Sequence, residues 1–287
     1  MSVKSAARRD VIEPAPGTAR STPSHAVPES HRSSFTTDVT VEHGLVELIG
    51  RFFLKADTAM RERGVVLSFG SFEELLSVNE RNRGSWGILT SMYDHRCCPQ
   101  GLAPERAFCF LGRDAGGEII TTHAGRLYEL GDRSMKEVGD AMLLHHDDPA
   151  RSKQPGESIQ VTATAARSIK GRLLINGGVW YHPNYRKRQI ATILSRIARV
   201  YAYTRWKIDW SMGLAMEGPT RGGIIDSVGY PHREWGLQIS NAQNGSPRCC
   251  LAWMDANELL ADLRGFLAGL DAQAYMGVDY RRAQHQG

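Results

Sequence analysis

Val179-Trp180-Tyr181-His182-Pro183-Asn184-Tyr185-Arg186-Lys187-Arg188-Gln189-Ile190-Ala191 is the stretch that decides how this 287-residue chain folds. Residues 173–181, on its left, are nearly all apolar, as in a strand covered on both faces, and Pro183 stops them. On its right, Ile190, Ile193, Leu194, Ile197, Ala198 and Tyr201 recur at helical spacing and predict one apolar helix face. Three cations, Arg186, Lys187 and Arg188, occupy the turn between. A helix N-terminus already carries about half a positive charge, so each cation there is unfavourable by roughly 0.3–1 kcal/mol. An anion at that turn reverses the sign, because orphan amides, the dipole and the basic side chains then converge on one phosphate or pyrophosphate. The same charges would also suit an ordinary solvated loop.

Periodicity orders the rest of the chain around this turn. Residues 41–63 predict a helix with Leu45, Leu48, Ile49, Phe52, Phe53, Ala56 and Met60 on one face. A strand over 65–69 follows, and Ser71 with Glu74 reads as a capping box opening the next helix. A short helix through Trp86, Ile88, Leu89 and Met92 is expected. Residues 107–111 and 118–124 predict a hairpin across the glycine-rich loop 112–117. Residues 131–155 are polar and aperiodic and read as an insertion or loop. Ile208, Trp210, Met212 and Leu214 alternate with small or polar residues, which is strand period two. Pro219 marks a helix start, with Gly229 at the exit. Two closing strands are expected over 235–240 and 249–254, then a helix opened by Asp255 and Glu258. Four segments result: a disordered tail (1–37), an N-terminal helix (38–63), the main domain (64–255) and a C-terminal helix and tail (256–287). The tail assignment rests on seven serines and four prolines with no aromatic residue before Phe35.

Composition excludes several classes. With 41% hydrophobic and 23% charged residues, the chain is neither collagen-like nor wholly disordered. No run of 18 or more apolar residues exists, and residues 1–20 carry charges throughout, so neither a membrane span nor a signal peptide is expected and the protein is placed in the cytoplasm. The five cysteines form two vicinal pairs, Cys97-Cys98 and Cys249-Cys250, plus Cys109, which suits reduced thiols in a packed interior. His145-His146-Asp147-Asp148 lacks metal-ligand spacing and reads as a solvated loop, so no metal is expected. Between Glu157 and Asp209 there is no carboxylate, while ten cations are present. That imbalance asks for an anionic partner; the six tryptophans form no stacking array, and nucleic acid is not expected.

The order of parts (a hairpin, a long strand ending in aromatic-His-Pro, a basic turn, an amphipathic helix, a strand, a short helix ending Gly-Tyr) resembles the GCN5-related N-acetyltransferase superfamily over roughly residues 65–254. The quoted stretch stands against a family pattern of strand, Val-x-Pro-x-Tyr-Arg, then Arg/Gln-x-x-Gly-x-Gly/Ala. Arg186 matches the Arg/Gln position and Ala191 the final small one, whereas Gln189 replaces the first glycine and Lys187 another frequent one. The resemblance implies an α+β (mixed α/β) fold: a single acyl-CoA N-acyltransferase-like domain with a central, mostly antiparallel, mixed twisted sheet flanked by helices. It also implies acetyl-CoA or another acyl-CoA as co-substrate, held by Val179, Trp180, Tyr181, Arg186, Lys187, Arg188, Gln189, Ile190 and Ala191. Gly177-Gly178 would permit the bulge that splays two strands apart.

A small-molecule or peptide amine is the implied acceptor. The reaction needs a base for the ammonium proton and an acid for the departing thiolate. Residues 173–181 contain no carboxylate, and Ile225 stands where relatives carry a tyrosine. Tyr181, His182, Asp209 and Tyr230 are the candidate substitutes, and Glu217 could contact the amine or cap a loop. The alternative to an enzyme is a non-catalytic sensor or adaptor of the same fold that binds CoA or another polyanion.

Overall fold

The computed structural model describes residues 34–284. In chain order the elements are α1 (Phe35–Asp38), α2 (Val46–Glu62), β1 (Val66–Gly70), α3 (Phe72–Arg81), β2 (Ala107–Arg113), β3 (Ile119–Glu129), α4 (Met135–Asp140), α5 (Pro149–Ser152), β4 (Ser158–Val161), β5 (Arg172–Tyr181), α6 (Ile190–Trp206), β6 (Trp210–Met216), α7 (Glu217–Arg221), α8 (Ile224–Val228), β7 (His232–Ser240), β8 (Arg248–Asp255) and α9 (Ala256–Gln284). The strands form one eight-stranded sheet in the order β1-β2-β3-β5-β6-β8-β7-β4. Every pairing is antiparallel except β5 with β6. The fold is therefore the mixed, mostly antiparallel sheet flanked by helices that the sequence led us to expect. No helix among the described residues is long and apolar enough to cross a membrane.

Alternation along β5 sorts the core into two layers. Leu173 and Ile175 join a cluster with Tyr93, Leu111, Met135 and Leu251, while Leu174 joins one built from α2, α6 and α9. A side-chain period of two on a strand buried on both faces produces this division. α6 is buried nearly all round, with Arg196 and Arg199 among its buried residues.

The structure departs from the sequence reading at several places. Residues 1–33 of the expected tail lie outside the described residues, but Phe35 begins a helical turn and is fully buried, edge-on to Phe53 and Phe110 at 5.9 and 5.8 Å. Burying one phenylalanine is worth about 1.5–3 kcal/mol, enough to pin this turn to α2. α2 starts at Val46, since Gly44 adopts φ +93° and an added Cβ would lie 2.7 Å from Ile49. Ser71 accepts from the Glu74 amide as expected, but the Glu74 carboxylate pairs with Arg113, so only half the box forms. The short helix expected from Trp86 to Met92 reduces to a 3₁₀ turn, Ser91–Tyr93, with Gly87 a poor helix former inside the expected span. β4 falls between the expected loop 131–155 and the expected strand 173–181, where no element was expected, and pairs with β7.

The largest correction concerns residues 131–155. They contain α4, opened by a complete Ser134–Glu137 capping box, and their histidines are buried. His146 bonds Ser152 Oγ at 2.8 Å and Glu157 Oε1 at 3.1 Å, and Asp147 pairs with the buried Arg126 at 2.7 Å. Side-chain pairing of this kind leaves no hydrophobic period to read, so a packed segment looks like loop.

Candidate active site

β5 and β6 run side by side only from Leu173↔Trp210 to Asn176↔Gly213; beyond that pair they separate. Two glycines account for the opening. A Cβ on Gly177 would lie 2.4 Å from the ring of Tyr93, and Gly178 holds φ +57°, where other residues are strained. On the β3 side, Thr122↔Trp180 and Ala124↔Gly177 leave one extra residue on β5. That bulge is tied down by Thr122 Oγ1, which donates to the Gly178 carbonyl at 2.7 Å. The edge of residues 177–181 facing β6 therefore has no strand partner.

A cavity of about 700 Å³ occupies the gap, lined by residues 85–90 of the loop after α3, by 176–181 of β5, and by Tyr93, His123, His145, Arg186, Ile224, Ile225, Val228 and Tyr230 among others. Its floor is a polar cluster built on Asn176. Asn176 Nδ2 has the Met212 carbonyl (3.3 Å), Ser211 Oγ (3.1 Å) and the Tyr230 hydroxyl (3.0 Å) within hydrogen-bond distance and shares its two N–H groups among them. The Met212 carbonyl can only accept, which fixes the amide: Oδ1 faces His123 Nε2 at 3.1 Å and accepts its proton. His123 Nδ1 is then the ring's lone-pair nitrogen, buried and without a partner. Burial lowers the His123 pKa to about 4 and that of His145 to about 3, so both rings are neutral near pH 7. Burial raises the Tyr230 pKa, and the Arg199 guanidinium, 5.1 Å from the ring centroid, opposes it. Asp262 on α9 bridges Arg199 (2.7 Å) and Arg196 (2.7 Å), one carboxylate shared between two guanidinium groups.

The other end of the cavity reaches the basic turn. Lys187 and Gln189 both hold left-handed φ, +64° and +59°, at the two positions where glycine was expected. Among the described residues the amides of Lys187, Arg188 and Gln189 find no backbone acceptor, and no side chain caps α6. Successive free amides beside the N-terminus of a 17-residue helix are an arrangement that suits an anion. The Gln189 side chain does not block it: Oε1 accepts from Arg63 at 3.2 Å, while Arg63 Nε donates to the Arg188 carbonyl at 2.9 Å. Arg63 is thus a fourth cation at the turn, delivered by the end of α2. Arg188 lies over the Tyr185 ring at 4.4 Å, and Arg186 donates to the carbonyls of Tyr181 and Ser85, both at 3.2 Å. Trp180 bonds Ser85 Oγ and stacks on Trp86.

The candidates named from sequence separate in space. Val179, Trp180, Tyr181, Arg186 and Tyr230 line the cavity, whereas Lys187, Arg188 and Gln189 form the turn beyond it and Ile190 and Ala191 open α6. The Tyr181 hydroxyl is buried beside Ser195 with no partner at bonding distance, and burial raises its pKa. His182 instead caps the turn after β5, its Nδ1 accepting from the Asn184 amide at 3.3 Å. Asp209 sits at the opposite end of β5, where Oδ2 accepts from the Arg172 amide at 2.7 Å, so it is not at the cavity. Glu217 pairs with Arg221 on the surface. The ten-cation stretch does not form one patch either, because Arg196 and Arg199 turn inward to Asp262. Sequence reasoning missed His123, Asn176 and His145. A histidine preceded by two threonines in a hairpin strand, and a lone asparagine in an otherwise apolar strand, were the available signals.

No family model matches the sequence, and no curated protein sequence matches it. Among solved structures, the chain is similar to spermidine N-acetyltransferase from Vibrio cholerae, with 10% identity over 69% of this chain and 96% of that one, at a TM-score of 0.41. It is also similar to NAA60 of Arabidopsis thaliana in complex with acetyl-CoA, with 11% identity over 67% of this chain and 99% of that one, at a TM-score of 0.41. At such identities the likeness concerns chain path and leaves chemistry to the residues.

Proposed function

We propose that the chain is a divergent acyl-CoA-dependent N-acyltransferase that moves an acetyl group to an amine. The observation that carries this reading is the glycine-built splay of β5 from β6, which joins a cavity to an anion-binding helix N-terminus. The free edge of residues 177–181 offers hydrogen bonds to an extended amide-bearing arm, and the free amides of 187–189 with Arg63, Lys187 and Arg188 suit its pyrophosphate. The unpaired amides and the left-handed backbone fit acyl-CoA as co-substrate. In the reaction the amine nitrogen bonds to the acyl carbon and the carbon–sulfur bond breaks. His123 Nδ1 accepts the proton that the nitrogen sheds, Tyr230 protonates the departing sulfur, and solvent returns the proton from imidazole to phenol. Asn176 holds both side chains in place. Calorimetric titration with acetyl-CoA, followed by assay of thiol release with amines, tests the proposal; absence of heat at millimolar ligand would sink it.

A second reading is a sensor or adaptor of the same fold. Its supporting observation is that no carboxylate lines the cavity among the described residues. Acetyl-CoA binding without turnover on any amine would favour it.

A further inference from the structure

The wall of the cavity says what kind of amine fits. Trp86, Ile88, Met216, Ile224, Ile225 and Val228 supply its apolar surface, and Arg186 is its one permanently charged lining residue among those described. The carboxylates on the neighbouring elements are engaged elsewhere: Glu217 with Arg221, Asp226 with Arg233, and Asp262 with Arg196 and Arg199. A cationic acceptor entering this space would lose its hydration with no counter-charge, beside a guanidinium, and the two histidines add no negative charge. An amine that is already neutral meets none of these penalties.

Resting on the acyltransferase reading above, we propose that the acceptor is an aromatic amine, uncharged at neutral pH, whose ring packs against the apolar wall and whose nitrogen faces the polar cluster on Asn176. The base available agrees with this chemistry. His123, held near pKa about 4 by burial, is too weak to deprotonate an alkylammonium. It suffices for an aromatic nitrogen, which becomes acidic only after bonding to the acyl carbon, so proton removal follows attack instead of preceding it.

Two isomers separate the possibilities: 4-ethylaniline, neutral at pH 7.5, and phenethylamine, cationic there, compared with spermidine under saturating acetyl-CoA on the full chain, with acetylated product quantified by mass spectrometry. The aromatic amine should exceed both in kcat/KM by roughly ten-fold or more. Ile88→Asp, at a wall position that is 38% exposed and so able to accept a carboxylate, should narrow the gap in favour of phenethylamine. Preference for either cationic amine overturns the assignment of acceptor, as does calorimetric binding of acetyl-CoA with no acetylated aromatic product. If acetyl-CoA gives no heat, the acyltransferase reading itself falls and the acceptor assignment goes with it.

Discussion

Asn176 donates to the Tyr230 hydroxyl at 3.0 Å and, through its other amide atom, accepts from His123 at 3.1 Å, so a single side chain spans the floor where β5 and β6 part. Asn176→Ala strands several buried polar groups at once. Each unsatisfied group is penalised by about 1–3 kcal/mol, so a loss of ~3 kcal/mol or more is expected in urea unfolding. Asn176→Asp, which keeps the shape but no longer donates to Tyr230, should retain more stability than alanine while depressing turnover.

Acid should weaken the fold through the same floor. In the unfolded chain His123 and His145 titrate near the ordinary histidine value, whereas burial holds them at about 4 and about 3 in the native state. Between those limits the unfolded chain binds more protons, so stability falls as pH drops below about 6.5 and is fully present above it. The His123 contribution alone is on the order of 3 kcal/mol. Thermal melts at pH 7.5 and pH 5 should show a loss at the lower pH that shrinks in His123→Gln. An unchanged loss in that variant would place the sensitivity elsewhere.

At the basic turn, Arg186→Ala should weaken acetyl-CoA binding roughly ten-fold to a hundred-fold, the scale of one charge-assisted hydrogen bond. Arg63→Ala should weaken it as well, since Arg63 fixes the carbonyl of Arg188 and the side chain of Gln189. Calorimetry on each variant gives the affinity directly.

Glycine should be welcome at position 189 and indispensable at 178. A left-handed residue with a side chain is strained by about 1–2 kcal/mol, so Gln189→Gly should raise the melting temperature and tighten acetyl-CoA together. Gly178→Ala should do the reverse by a similar amount, since the new Cβ would meet Ala124 and Leu75 at 3.1 and 3.2 Å. A Gln189→Gly variant that lost affinity would show that the Arg63 contact matters more than the backbone.

Phe35→Ala removes a fully buried ring from between Phe53 and Phe110 and should destabilise the domain by about 3–5 kcal/mol, measured by denaturant midpoint. A tail that stayed free of the core would show no effect.

Periodic segments were readable because their burial is one-sided or complete. The helix of residues 190–206 and the strand through Ile175 follow from spacing and residue type, whereas the fold class and the Gly177-Gly178 opening were expected only through the family resemblance that the stretch 179–191 carries. The floor of the cavity did not, because its partners are remote in sequence: His123 meets Asn176 across 53 positions, and Asp262 meets Arg199 across 63. A carboxylate search pointed to Asp209, whose alternating neighbours were read correctly as a strand; the parallel pairing then placed it at the wrong end. Residues 131–155 carry too few apolar positions to show a period, since their ordering rests on capping and on side-chain pairs such as His146 with Glu157.

Asp262 is the shared counter-ion of two guanidinium groups, supplied by a helix that joins the body only after every strand has been laid down. Any shortened version of the chain that stops at the end of the sheet, a natural choice for recombinant expression, would therefore leave Arg196 and Arg199 without their shared carboxylate, the second of them against the Tyr230 ring. Where such a version ends should be decided by that counter-ion and not by the last strand.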